Sequence, residues 1–170
     1  MSLSIPDHHE QQYESSCVFA CICMILKWRG ASFDEKALFT KWNGHGSVNA
    51  AVSELGAAYR SLSPDDFQTV RTAFSGWFAN DCALIVTVCG PRYVQRRGIA
   101  PGGSISKWKD LAPAGDSGGP FHALVLVGST EDGFLALDPY YPANGQPLEL
   151  TDDDLTHILT GQVVVCSKQT

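Results

Sequence analysis

Basic residues are scarce in this chain. Twelve Lys and Arg stand against 18 Asp and Glu, a net charge of −6 over 170 residues, with a pI near 5.2. A chain of that balance offers no basic face for phosphates, which argues against nucleic acid as the main partner. Apolar runs such as Ala83-Leu84-Ile85-Val86 fall far short of the roughly 20 residues a spanning helix needs, so no membrane is expected. Residues 1–10 carry neither a basic n-region nor an apolar h-region. No secretory signal is read there, and a cytoplasmic location is expected, with signal-independent export left open. The paired Cys-x-x-Cys or Cys/His spacing of zinc sites is missing around Cys17, Cys21 and Cys23, so no metal is expected; no organic cofactor is implied either. There is no internal repeat and no linker-like stretch.

What is present describes a globular chain. Hydrophobic residues make up 44%, charged residues 18% and aromatics 10%, a mixture that builds a core rather than a disordered coil. The length suits a single domain over residues 1–170. Six cysteines stand at positions 17, 21, 23, 82, 89 and 166. A core of this size does not need disulfide staples, and free thiols acting as small hydrophobes are expected.

Periodicity then orders the elements. Small and apolar residues at Cys17, Ala20, Cys21, Met24, Ile25 and Trp28 recur at spacings of three and four, one face of a helix that Ser15-Ser16 would cap and Gly30 would stop. A second helix is expected over 34–42 and a third from Ser47 to Leu55. A fourth is expected from Ser63-Pro64-Asp65-Asp66 to about Trp77, by cap, proline and first-turn acids. The pattern then changes to strands at 83–88, 122–127, 133–137 and 161–166, with a helix opening at Thr151. Residues 90–121, which hold seven of the 16 glycines and four of the nine prolines, read as one long loop. A helical N-terminal half followed by a mostly antiparallel sheet is an α+β arrangement.

Four polar residues could carry chemistry in that frame. Cys17 sits in the first turn of the first helix, where unpaired N–H groups and the helix dipole favour a thiolate. Taken alone, it is also simply the first apolar residue of a buried face. Gln11 lies six residues earlier, where a side-chain amide can point at the space above the sulfur and serve an oxyanion. It can equally be one of two solvated glutamines. His122 opens one strand and Asp138 closes the next, with a turn over 129–133 between them, so a hairpin brings both to the same end. A lone histidine and an Asp-Pro turn are each ordinary features on their own.

Together these residues resemble a known family. Gln11-x5-Cys17-x2-Ala20-x3-Met24-Ile25-Leu26, then Phe121-His122-Ala123-Leu124-Val125-Leu126-Val127 and Ala136-Leu137-Asp138-Pro139, are similar to the C39-like peptidases. These are papain-like cysteine peptidases that include the domains trimming double-glycine leaders from bacteriocins. The resemblance covers roughly residues 11–29 and 121–165. It implies a papain-like fold with Cys17 as nucleophile, His122 as general base and acid, Asp138 as its orienter and Gln11 as oxyanion donor. The partner implied is a peptide or protein substrate. The family usually has Gly after the nucleophile, where this chain has Val18, a departure that bears on substrate class. No transporter segment accompanies the motifs, which suits a stand-alone processing enzyme or a protease toxin, the latter implying a dedicated inhibitor protein. A thiol amidase, an acyltransferase or a peptide-binding module on the same fold are the alternatives.

Three further features stand outside that set. Gly115-Asp116-Ser117-Gly118-Gly119-Pro120 matches the nucleophile hexapeptide of chymotrypsin-like serine proteases, but the two β-barrels and the histidine setting of that family are missing. Asn43-Gly44-His45-Gly46-Ser47 is an interhelical turn that could also edge a peptide groove. Arg92, Arg96, Arg97, Lys107 and Lys109 gather five of the twelve basic residues in the long loop, either as solvated charge or as a surface for an acidic partner.

Overall fold

The computed structural model describes residues 4–97 and 120–168. The chain runs α1 (Cys17–Trp28), α2 (Glu35–Lys41), α3 (Val48–Leu55), β1 (Ala58–Ser61), α4 (Phe67–Ala79), β2 (Cys82–Cys89) and α5 (Gly90–Arg97). It continues as β3 (Phe121–Ser129), β4 (Gly133–Leu137), β5 (Leu148–Thr151), α6 (Asp152–Ile158) and β6 (Leu159–Ser167). The strands form one sheet in the order β1-β6-β2-β3-β4-β5, and every neighbouring pair is antiparallel. The α+β class expected from the sequence is the class observed.

Helices cover both faces of the sheet, not one. Alternate residues along each strand point to opposite sides. On one side Ala83, Ile85, Ala123, Val125 and Val164 pack with α1, α2 and α3. On the other, Leu84, Val86, Leu124, Leu126 and Val163 pack with residues of α4, α5 and α6. The central strands are therefore buried on both faces, which explains why they read as continuous apolar runs.

Local signals explain most helix ends. Asp34 caps α2 by accepting from Ala37 N at 3.0 Å, Ser47 caps α3 through Ala50 N at 3.2 Å, and Thr151 and Asp154 cap α6 reciprocally. Gly30 takes a left-handed φ of +72° beyond α1, where Ala31 N closes on Leu26 O at 2.9 Å. Two expected caps are corrected. The fourth helix starts at Phe67 with Asp66 as its cap, because Pro64 and Asp65 form a turn before it. Ser16 holds the cap position of α1 but its hydroxyl donates back to Tyr13 O at 2.8 Å and accepts from Tyr13 N at 3.0 Å, so no side chain caps α1.

Three elements lie outside the sequence expectation. β1 and β5 are four-residue edge strands that exist by pairing with β6 and β4. The segment expected as loop from residue 90 instead begins as α5, continuing directly from β2. Ser117, Lys107 and Lys109 lie outside the described residues, as does the side chain of Arg97.

Candidate active site

Cys17 is the first residue of α1. The first intrahelical bond runs from Ala20 N to Ser16 O at 2.9 Å, so the N–H groups of Cys17, Val18 and Phe19 precede the helical ladder. With Ser16 turned back on Tyr13, no side-chain oxygen consumes them. The helix thus presents its first-turn N–H groups and its positive dipole end beside the thiol.

His122 and Asp138 reach this point through the β3–β4 hairpin. Val125 pairs with Leu137, which places Asp138 one residue past the strand end and close to the start of β3. His122 Nε2 lies 2.8 Å from Asp138 Oδ1, and both side chains are buried. That leaves Nδ1 as the nitrogen for the hydrogen bond that joins His122 to Cys17. The imidazole thus lies between the Asp138 carboxylate and the Cys17 thiol.

The environment favours an ion pair. Burial, the largest single influence on Cys17, pushes its thiol up, but the hydrogen bond and charge of His122, with the N–H groups of Ala123 and Val18, bring it below the ordinary thiol value. Burial likewise pulls His122 down, yet the charge and hydrogen bond of Asp138 and those of Cys17 raise it to about 10. Asp138 is pushed up by burial and brought below the usual carboxylate value by His122, the Tyr93 hydroxyl and Tyr140 N–H. All six cysteines are free. Burial pushes Cys21 and Cys82 up, and Cys23 and Cys166 up to about 12. Cys17 is set apart from them by its neighbours, not by its exposure.

Gln11 is placed differently from the expectation. Its amide nitrogen donates to Tyr13 O at 2.7 Å and Glu14 O at 3.1 Å, so both amide hydrogens brace the turn leading into α1. Its Oε1 is buried with no hydrogen-bond partner among the described residues. The main chain of the same residue is tied to the site, since Gln11 N donates to Pro139 O at 2.7 Å. Nearby, His8 Nε2 lies 2.8 Å from Asp138 O.

A cleft of about 940 Å³ opens over Cys17 and His122, with His45 and Gly46 of the interhelical turn on its wall. That turn therefore edges the cleft, as one sequence reading held. Tyr59 and Phe121, 42% and 46% exposed, also line it. Sequence reasoning singled out neither as a cleft residue, because an exposed aromatic, whether on the edge strand β1 or at the start of the central strand β3, has no periodic signature. It also missed Tyr93, whose hydroxyl donates to Asp138 Oδ2. The helix-start pair Gly90-Pro91 was its only signal. Among the described residues no group of three His, Cys, Asp or Glu side chains converges as metal ligands, and no helix is long and apolar enough to cross a membrane.

The antiparallel sheet with helices on both faces is a fold shared with a solved C39-type peptidase domain. The likeness is to the peptidase domain of Streptococcus ComA, a bifunctional ABC transporter involved in a quorum-sensing pathway. Its crystal structure superposes with a TM-score of 0.59 at 14% identity, covering 95% of this chain and 98% of that one. No protein-family model matches the sequence, and no curated protein matches it. The likeness is one of fold.

Proposed function

We propose that this chain is a cysteine peptidase in which Cys17, His122 and Asp138 act as a triad. The observation that carries the reading is the hydrogen-bonded line from the Cys17 thiol through His122 to buried Asp138, set at a helix N-terminus beneath an open cleft. The peptidase fold of the structural neighbour agrees with it.

The chemistry follows from that line. The Cys17 thiolate attacks a peptide carbonyl carbon, and the carbonyl oxygen becomes an oxyanion held by the Cys17 N–H. Protonated His122 gives its proton to the amide nitrogen as the C–N bond breaks, leaving a thioester and a free amine. Neutral His122 then takes a proton from water, whose oxygen attacks the thioester carbonyl. Collapse releases the carboxylic acid and restores the thiolate–imidazolium pair. Gln11 is the second oxyanion donor in this proposal, and it reaches that role by leaving the carbonyls of Tyr13 and Glu14.

The test compares iodoacetamide labelling and peptide hydrolysis for wild type, Cys17→Ala and Ser117→Ala. Loss of both signals in Cys17→Ala alone is the expected result. Loss of hydrolysis in Ser117→Ala with Cys17→Ala unharmed would overturn the assignment. Rapid labelling of Cys17 with no hydrolysis of any peptide would turn the reading toward an acyltransferase or a side-chain amidase.

A further inference from the structure

Asp138 receives more than a triad carboxylate needs for holding a histidine. Oδ1 takes His122 Nε2 at 2.8 Å and Tyr140 N at 2.9 Å, and Oδ2 takes the Tyr93 hydroxyl. Tyr93 is 1% exposed and comes from α5. Its ring also lies along the His122 imidazole, with centroids 5.7 Å apart and planes inclined by 30°. One side chain therefore touches both members of the pair, the carboxylate through its hydroxyl and the imidazole through its face.

Those contacts do two separate things. The hydroxyl fixes the rotation of the carboxylate, because with Oδ2 anchored, Oδ1 has one direction in which to meet His122. The ring keeps water from the imidazole side of the buried pair and limits its swing.

We propose that Tyr93 is a positioning residue that acts on the reaction through Asp138, so that α5 is part of the active-site scaffold. This rests on the thiol-peptidase reading above. The anchorage of α5 supports it: Arg96 Nε donates to Asp154 Oδ1 of α6 at 3.0 Å, and the same guanidinium pairs with Asp153. One of the basic residues grouped by sequence as a possible partner surface is thus engaged within the fold, docking the helix that carries Tyr93.

Removing the hydroxyl has a direction. A donor to the ionised carboxylate favours ionisation, so its loss lets Asp138 take up a proton at higher pH. Once Asp138 is neutral, the imidazolium loses its partner and the thiolate is reprotonated. Among the described residues, the titratable groups that act on Asp138 are His122 from β3 and Tyr93 from α5, with the Cys21 thiol of α1 near it and Cys17 against His122. His8 of the N-terminal segment touches only its main-chain carbonyl.

The experiment uses Tyr93→Phe, which keeps the ring, and reads the rate of Cys17 alkylation by iodoacetamide across pH together with kcat and KM for a peptide. The acid limb of alkylation is expected to move to higher pH. kcat should fall about ten- to a hundredfold with KM unchanged, the scale of a lost hydrogen bond to a charged group. In an Asp138→Asn background the Tyr93→Phe change should add almost nothing, because both act at one carboxylate. If wild-type Cys17 alkylates rapidly at low pH while Tyr93→Phe keeps the same limb and kcat, the positioning role is overturned and the thiol reading stands. If the effect is full and additive in Asp138→Asn, Tyr93 does not act through Asp138 and the proposal fails. If wild-type Cys17 alkylates no faster than free cysteine, the thiol reading falls and takes this inference with it.

Discussion

Val18 and Gly46 meet across the cleft edge: a Cβ on Gly46 would stand 3.0 Å from Val18 Cβ and 3.4 Å from its Cγ2. Val18, directly after Cys17, is thus backed by a glycine on the facing turn, and both line the cleft. The β-branched side chain at position 18 is accommodated by the absence of a side chain opposite it. Gly46→Ala is expected to push the 43–47 turn away from α1, since a helical valine has one favoured rotamer and cannot step aside. The cost should be about 1–3 kcal/mol of stability, with a drop in kcat/KM. Adding Val18→Ala should recover most of both, and equilibrium urea unfolding of the two single variants and the double variant measures it.

The pH dependence has a definite form. The attacking species in the proposed reaction needs Cys17 ionised and His122 protonated. The thiol sits below its ordinary value and the imidazole is raised to about 10, so the pair persists between those two titrations. Activity should be lost as pH falls through the lowered thiol value, and lost again as pH rises through the imidazole value. A kcat/KM profile whose alkaline limb sits near the ordinary histidine value of about 6.5 would contradict the ion pair.

Selective labelling follows from the same contrast. Iodoacetamide at pH 6 should modify Cys17 while Cys21, Cys23, Cys82 and Cys166, all pushed up by burial, stay unmodified, as peptide mapping by mass spectrometry would read. In Asp138→Asn the selectivity should shrink, because the imidazolium that lowers the thiol loses its buried counter-charge.

The N-terminal segment is held by a buried carboxylate. Glu35, 2% exposed, accepts from Gln12 N at 2.9 Å and lies 2.7 Å from His9 Nε2. The residues that reach Asp138 O and Pro139 O, His8 and Gln11, lie on the same segment. Glu35→Ala is expected to cost about 1–3 kcal/mol, the scale of unsatisfied buried partners. It should also expose residues 4–16 to limited proteolysis and lower kcat. A variant that unfolds earlier in urea but resists proteolysis there would separate Glu35 from that clamp.

Gln11 has two separable roles to distinguish. If its amide enters the oxyanion hole, Gln11→Ala should lower kcat by about 10²–10³-fold with KM little changed. A role confined to bracing the carbonyls of Tyr13 and Glu14 would instead lower the thermal midpoint and leave kcat within a few fold of wild type.

Much of the site was legible in the sequence because its parts are local. The first-turn position of Cys17 follows from the helical spacing of residues 17–28. The meeting of His122 and Asp138 follows from a hairpin only 16 residues across. Capping by Asp34, Ser47 and Thr151, and the left-handed stop at Gly30, are decided by neighbours in the chain. What tertiary structure alone decided involves long separations or competition between local partners. Tyr93 meets Asp138 from 45 residues away and His8 from 130, and no periodicity records such contacts. β1 is exposed along its whole length and becomes a strand only because β6 offers it a ladder. The Ser16 hydroxyl and the Gln11 amide each had two sets of possible partners, and in both cases the Tyr13–Glu14 turn won. Short-range physics thus placed Cys17 at a helix start and His122 with Asp138 at one hairpin end, while the packing of helices on both faces of the sheet decided what surrounds and steadies them.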